Sequence, residues 1–229
     1  KRRADDAPRL SQNGVALPQF INLSAFAEQM LVHEHACVAI RKDMPLDRAA
    51  IIGCAVTTGA GAVFNAAKLT PGETICVVGC GGVGLSCING AAIAGASRVI
   101  AVDMVSSKLD LARKFGATDV VNAREVNAIE AVKEITSGGV HYAFEAIGLK
   151  ATAEQAFGML RNGGVATVIG MIPPGQMVSL HGADFLFEKR IQGSFMGSNR
   201  FRVDMPRFIE LYLQGRLHLD DMVSGRIRL

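Results

Sequence analysis

The chain has 229 residues, 49% of them hydrophobic and 20% charged, with 25 glycines and a formal net charge of +3. Those values describe a folded globular enzyme and exclude a disordered chain or a strongly basic nucleic-acid binder. The length suffices for one large α/β domain with its own core plus pieces of a second.

The basic start, Lys1 to Arg3, is followed at once by Asp5 and Asp6 and reads as a solvated loop. Leu10 to Ile40 reads as loop and short strand, with Gly14 and Pro18 as breakers and Phe26 to Ile40 apolar enough for a half-buried β segment. On such a strand His33 and His35 share one face, most simply as exposed surface. Pro45 then opens a short helix through Ile52 to Gly53-Cys54, and Thr57 to Ala67 is a separate small-residue helix ended by Pro71-Gly72.

From there strands and helices alternate. The pattern predicts strands at Ile75 to Val78, Arg98 to Val102, Asp119 to Asn122, Val140 to Ala146, Val165 to Gly170 and Ile191 to Met196. It predicts helices at Val83 to Ala94, from Ser107 to Gly116, at Asn127 to Thr136, Ala151 to Leu160, Ala183 to Lys189 and Met205 to Leu213. Ser107-Lys108-Leu109-Asp110 has the form of a capping box. Strands alternating with helices imply parallel crossovers, and six of them make a doubly wound, Rossmann-type α/β sheet. Ile75 to Ser97 carries no charge, yet its glycine cluster argues for a buried strand, turn and helix over a membrane span. The alternating stretch Met222 to Leu229 resembles a strand of an unfinished sheet, so the chain reads as a fragment.

Gly79-Cys80-Gly81-Gly82-Val83-Gly84 fits the G-x-G-x-x-G fingerprint, follows an apolar strand and opens a helix. In that context Gly79 permits the tight turn, Gly81 lets the backbone approach a pyrophosphate, and Gly84 lets helix and strand pack closely. The helix start then presents free N–H groups to the phosphates. Asp103 falls about 20 residues beyond Gly84, where a carboxylate accepts from ribose hydroxyls and repels a 2′-phosphate, so NAD is favoured over NADP. Lys108 is the near cation that could offset it.

Gly53-Cys54-x-x-x-Thr58-Gly59, Pro71-Gly72-Glu73, the glycine fingerprint, Val102-Asp103, Phe144-Glu145-Ala146-Ile147-Gly148 and Val168-Ile169-Gly170 together resemble the zinc-containing alcohol dehydrogenases of the medium-chain family, over nearly the whole chain. The resemblance implies that Cys54 is a catalytic-zinc ligand and that its usual Cys and His partners precede Lys1. It places Thr58 against the nicotinamide, Val83 and Ile147 on the groove wall and Leu149 over the adenine. Ile169, Ser194 and Met196 would hold the carboxamide, and Phe20 and Ile21 would line the substrate pocket.

It divides the chain into the end of a β-rich GroES-like catalytic domain (1–56), the NAD-binding domain (57–196) and a return segment (197–229). It further implies hydride transfer between a small alcohol or aldehyde and NAD, with zinc as the second cofactor, in a homo-oligomer, dimer or tetramer. No nucleic-acid or membrane partner is expected. Five cysteines without a signal peptide suggest a reducing, cytoplasmic setting. Cys37, Cys76, Cys80 and Cys87 lack paired C-x-x-C spacing and read as packing residues. The competing readings are a zinc-free, NADPH-using quinone reductase of the same superfamily and a non-catalytic dinucleotide-binding module.

Overall fold

The structure, a computed structural model, describes residues 10–19, 23 and 25–227. It divides into a small unit, Lys1–Ala39 with Ser224–Leu229, and a large one, Ile40–Val223.

In the small unit, β1 (Leu10–Gln12) and β2 (Val15–Leu17) pair antiparallel around Asn13-Gly14. Both turn residues have positive φ, 51° and 78°, as a two-residue hairpin of this hand requires. The β segment expected over Phe26 to Ile40 does not form. The stretch holds only a 3₁₀ turn, Glu34–Ala36, because His33 Nδ1 accepts from the His35 amide at 3.1 Å and takes a donor that a ladder would use. His33 and His35 therefore sit in one turn, ring centroids 4.8 Å apart, and not on a strand face. The strand expected from Met222 onward is likewise absent among the described residues, which show a 3₁₀ turn at Asp220–Met222.

The large unit is the doubly wound sheet. Strands β3 (Thr74–Val78), β4 (Arg98–Asp103), β5 (Asp119–Asn122), β6 (Val140–Glu145), β7 (Leu160–Val168) and β8 (Arg190–Gly193) are all parallel, in the order β5-β4-β3-β6-β7-β8. Both faces are covered, which explains the unbroken apolar runs. Along β3, Ile75 and Val77 enter one core while Cys76 and Val78 enter the other, the two-residue period of a strand. The first crossover helix, Gly82–Ala94, is buried from Gly84 to Ala91, and Gly95 ends it in the left-handed conformation.

Two helical expectations change. The capping box at Ser107 does not form: the helix is Ser106–Lys114 with Val105 at its cap, and no side chain caps it. The two helices expected on either side of Gly53-Cys54 are one continuous helix, Leu46–Ala67, widened to π geometry at Ile52–Val56 and again at Ala62–Ala67. Gly53 does not end it because its φ/ψ stay helical, with no αL turn there. The division expected at 56/57 falls inside this helix.

At 22 residues the helix is long and apolar enough to cross a membrane, yet residues 57–63 are buried within the unit. Ile52, Val56 and Ala60 pack on Phe208, Ile209, Leu217 and Leu219, the last two following the helix Phe201–Leu213. It also lies hard against the first crossover helix, since a Cβ on Gly59 would stand 2.2 Å from the Val83 carbonyl oxygen. Gly59→Ala should therefore destabilise the protein although alanine is the better helix former by about 1 kcal/mol. Forcing the two helices apart costs about 1–3 kcal/mol or more, so a thermal melt should show a midpoint several degrees lower; an unchanged or raised midpoint would contradict the close contact.

Candidate dinucleotide site

The carboxyl ends of β3 and β4 meet at the glycine turn. Gly79 leaves β3 with φ +99° and its amide donates to the Val102 carbonyl at 2.8 Å, tying the turn to β4. Gly81 caps the helix in an extended conformation and supplies no side-chain acceptor, so the first-turn amides are left for a ligand. The three glycines are needed for different reasons. A Cβ on Gly84 would lie 1.7 Å from the Gly79 carbonyl oxygen and one on Gly79 would lie 2.5 Å from Ile147 Cγ1, whereas one on Gly81 would meet nothing within 4 Å. The space in front of Gly81 is therefore open for an approaching phosphate.

Asp103 closes β4. Its Oδ2 accepts from the Cys80 amide at 2.8 Å and its Oδ1 from the Val105 amide at 3.0 Å. Each oxygen keeps a second lone-pair direction, so the carboxylate can fix the turn and still accept from a diol. The Val105 contact also explains the lost capping box, because the carboxylate two residues upstream already turns the chain into the helix. Lys108 lies exposed, close enough to act electrostatically on Cys80 beside Asp103.

On the other side of the turn, the loop after β6 carries Ile147 and Leu149, both about half exposed along the groove. What holds this loop is Glu145, which in the sequence stands out only as part of the Phe144 to Gly148 motif. Its buried carboxyl accepts at Oε1 from the Ile147 amide (2.9 Å), the Gly148 amide (2.7 Å) and Thr152 Oγ1 (2.7 Å). The main-chain oxygen of Glu145 accepts from the Ile169 and Gly170 amides at 2.9 and 3.1 Å, so both loops hang on one residue. Its Oε2 faces Gly170, where a Cβ would be 2.6 Å away, and has no hydrogen-bond partner.

The third part of the groove comes from 194–198. The sixth strand was expected to reach Met196 but ends at Gly193. Met196, Gly197 and Ser198 all have positive φ, which breaks the pleat and folds the segment onto the long helix. A Cβ on Gly197 would lie 2.0 Å from the Thr57 carbonyl oxygen. Thr58 Oγ1 reaches Met196 Sδ at 3.7 Å, and the buried Ser194 donates its amide to Val168 at 3.0 Å. The structure thus brings together Thr58 with Ser194 and Met196, and Gly79 to Gly84 with Asp103 and Ile147. Phe20 and Ile21 lie outside the described residues.

Cys54 lies exposed on the first π-widened turn of the long helix, a feature that often marks functional positions. Among the described residues no group of three or more His, Cys, Asp or Glu side chains could hold a metal ion, so Cys54 is one donor without companions there. A catalytic zinc takes three protein ligands. The described residues alone do not make a zinc site. Cys76, Cys80 and Cys87 are buried, and burial raises their thiol pKa values, that of Cys80 to about 12 with Asp103 adding to the effect.

A parallel sheet with a glycine turn at its switch point and a carboxylate ending the next strand defines a Rossmann dinucleotide-binding domain of the dehydrogenase type. The sequence model of the zinc-binding dehydrogenases matches residues 82–213, and the chain belongs to that family. It is 37% identical to alcohol dehydrogenase 1 of Pisum sativum over 97% of this chain and 60% of that protein. The chain thus spans about 60% of the length of that relative. The benzyl alcohol dehydrogenase of Acinetobacter calcoaceticus superposes with a TM-score of 0.87 at 37% identity, over 90% of this chain and 57% of that one. A protein from Sinorhizobium meliloti 1021 described as a zinc-binding dehydrogenase, bound to NADP, superposes with a TM-score of 0.72 at 27% identity, over 79% and 54%.

Two outcomes follow from this geometry. Gly81→Ala should keep the melting midpoint, because its Cβ meets nothing, and weaken dinucleotide binding about tenfold or more by filling the phosphate approach, as a fluorescence titration would read; equal loss of stability and affinity would move the phosphate elsewhere. In the metal-free folded protein, iodoacetamide should label the exposed Cys37 and Cys54 and spare the buried Cys76, Cys80 and Cys87 until denaturant is added, since burial keeps those three protonated and out of reach. Peptide mass mapping checks this.

Proposed function

We propose that this chain belongs to an NAD-dependent alcohol dehydrogenase that interconverts a small alcohol and its aldehyde. The observation that carries the reading is Asp103, whose carboxylate joins the end of β4 to the phosphate turn through the Cys80 amide. The alcohol dehydrogenase names of the relatives support the reaction class.

When bound, NAD supplies the hydride acceptor, which no side chain of the chain can replace. The protein's part is placement. The first-turn amides after Gly81 receive the pyrophosphate, Asp103 receives the ribose hydroxyls, and Ile147 and Leu149 wall the groove. Val83 stands on the same helix start. Thr58 beside Met196, with Ser194 and Ile169, orients the nicotinamide end. Holding the reacting carbon against the alcohol is worth a large part of the barrier, up to about 7–11 kcal/mol for well-oriented pairs.

Cys54 is the zinc ligand that the chain contributes in this reading. Its companion donors are not among the described residues. The division into 1–56, 57–196 and 197–229, the substrate-lining role of Phe20 and Ile21, a cytoplasmic location and a homo-oligomeric assembly belong to the same proposal.

A carboxylate at the ribose repels a 2′-phosphate, so NADH should bind at least about tenfold tighter than NADPH, a difference of about 1.4 kcal/mol. Asp103→Gly should narrow that ratio toward unity. Tighter NADPH binding by the unaltered protein would show that Lys108 overrides Asp103 and would favour the NADPH-using relatives. Cys54→Ser should abolish alcohol oxidation and lower bound zinc while NADH affinity stays within about threefold, since Cys54 lies outside the glycine turn; full activity at unchanged metal content would return Cys54 to ordinary surface.

A further inference from the structure

The opposite, amino-terminal edge of the sheet carries a second polar site. Glu73, His141, Tyr142, Arg161 and Arg190 are among the residues that line a pocket of about 300 Å³. That volume is at the low end for small-molecule sites. Its centre is a β-bulge. Val140 pairs with Leu160 and Tyr142 with Val165, so His141 alone faces the stretch from Arg161 to Gly164. The bulge needs its glycines: Gly163 has φ +75°, and a Cβ on Gly164 would lie 2.9 Å from the Val140 carbonyl oxygen. Such bulges re-aim side chains, and here the guanidinium of Arg161 is turned onto the imidazole, Nη1 to Nε2 at 2.8 Å.

That contact leaves the imidazole with too many donors. The Thr74 amide, which can only donate, points at Nδ1 from 3.1 Å, with Thr74 Oγ1 also there at 2.9 Å. Nδ1 is therefore the acceptor and the proton of the neutral ring sits on Nε2, facing an Arg161 N–H that also can only donate. The other tautomer gives Arg161 an acceptor but sets Nδ1–H against the Thr74 amide. No protonation state of His141 satisfies both neighbours. Burial and Arg161 both hold its pKa below the usual histidine value, against a smaller opposing effect of Glu73.

We propose that this pocket is a binding site for a small tetrahedral oxyanion, inorganic phosphate or the phosphate end of a monoester, seated between His141 Nε2–H, Arg161 and Arg190. An oxygen that takes the place of Arg161 at Nε2, with the guanidinium swung aside to donate to the same anion, accepts from both and removes the conflict. Two guanidinium groups in the lining outnumber its one carboxylate. That carboxylate, Glu73, accepts from the Thr70 amide at 2.9 Å, and burial, with Glu73 beside it, raises the Tyr142 pKa while Arg190 opposes the rise. The site lies at the end of the strands away from the dinucleotide turn and does not depend on the proposed reaction.

The test is an NMR titration of the His141 imidazole nitrogens in the purified protein with orthophosphate, glycerol phosphate and, as control, chloride at matched ionic strength. A saturable change with either phosphate, midpoint in the low millimolar range or tighter, is expected. Arg161→Gln should weaken it about tenfold or more, and Arg161→Lys less. Arg190→Gln should also weaken it. Response to orthophosphate alone identifies a free-ion site, and a tighter response to glycerol phosphate identifies a monoester site. The absence of saturation, an equal response to chloride, or an unchanged midpoint in Arg161→Gln with an unaltered melt would overturn the proposal. NADH affinity should stay within about threefold in these variants, so failure here is separable from failure of the dinucleotide assignment.

Discussion

A side-chain carbon at position 84 would stand 1.7 Å from the carbonyl oxygen of Gly79, and this exclusion determines where the first crossover helix can begin. With hydrogen there instead, the helix starts directly over the end of β3, and its positive end faces the groove. The neighbouring contacts depend on that placement. Asp103 can reach the Cys80 amide only because the turn folds back beside β4. Ile147 lies across Gly79, and the long helix Leu46–Ala67 reaches the Val83 carbonyl through Gly59. A larger residue at 84 would move the phosphate-facing amides and the helix bearing Cys54 together.

Much of this was legible in the sequence because burial on both faces leaves a strong signature. The apolar run Ile75 to Val78 and the glycine cluster read correctly as strand and turn, and the carboxylate after Val102 as the residue that ends the next strand. Less was legible where a single local contact decides. Nothing in Ile52 to Val56 announces π geometry, so the long helix was divided at Gly53-Cys54. Ser107 to Asp110 has the letters of a capping box, but Asp103 had already captured the Val105 amide. Phe26 to Ile40 has strand-like apolarity without a partner to pair with, and Phe26 ends up 92% exposed. Positive φ at Met196 and Ser198, which are not glycines, has no compositional signal. Glu145 did have one: a carboxylate inside the apolar run before Ile147-Gly148 must find donors close by, and the amides of those two residues supply them.

The two ends of the sheet present hydrogen-bond donors by different means. At the carboxyl end the donors are main-chain amides with no side-chain cap, and the carboxylate of Asp103 stands beside them. At the amino end the donors are side chains, Arg161 and Arg190, gathered by a bulge around one histidine. Main-chain donors are not deleted by trimming a side chain; they are blocked by volume at Gly81, displaced at Gly84, or removed by proline. Side-chain donors can be deleted singly.

His141 and Glu145 stand near opposite ends of β6, so the two regions share one strand buried in the sheet. At 3.3 Å per residue they are about 13 Å apart. Across that distance a unit charge acts on another with about 1 kcal/mol at an effective dielectric of about 20, before salt screening over about 8–10 Å reduces it further. The glycine turn, proposed to receive a pyrophosphate, lies beyond Glu145, farther still. Direct electrostatics therefore links the two ends weakly, by less than a factor of about ten in affinity. A stronger linkage would require β6 to shift as a body, and the buried carboxyl of Glu145 resists this because three donors fix it to the loop that the strand would have to drag.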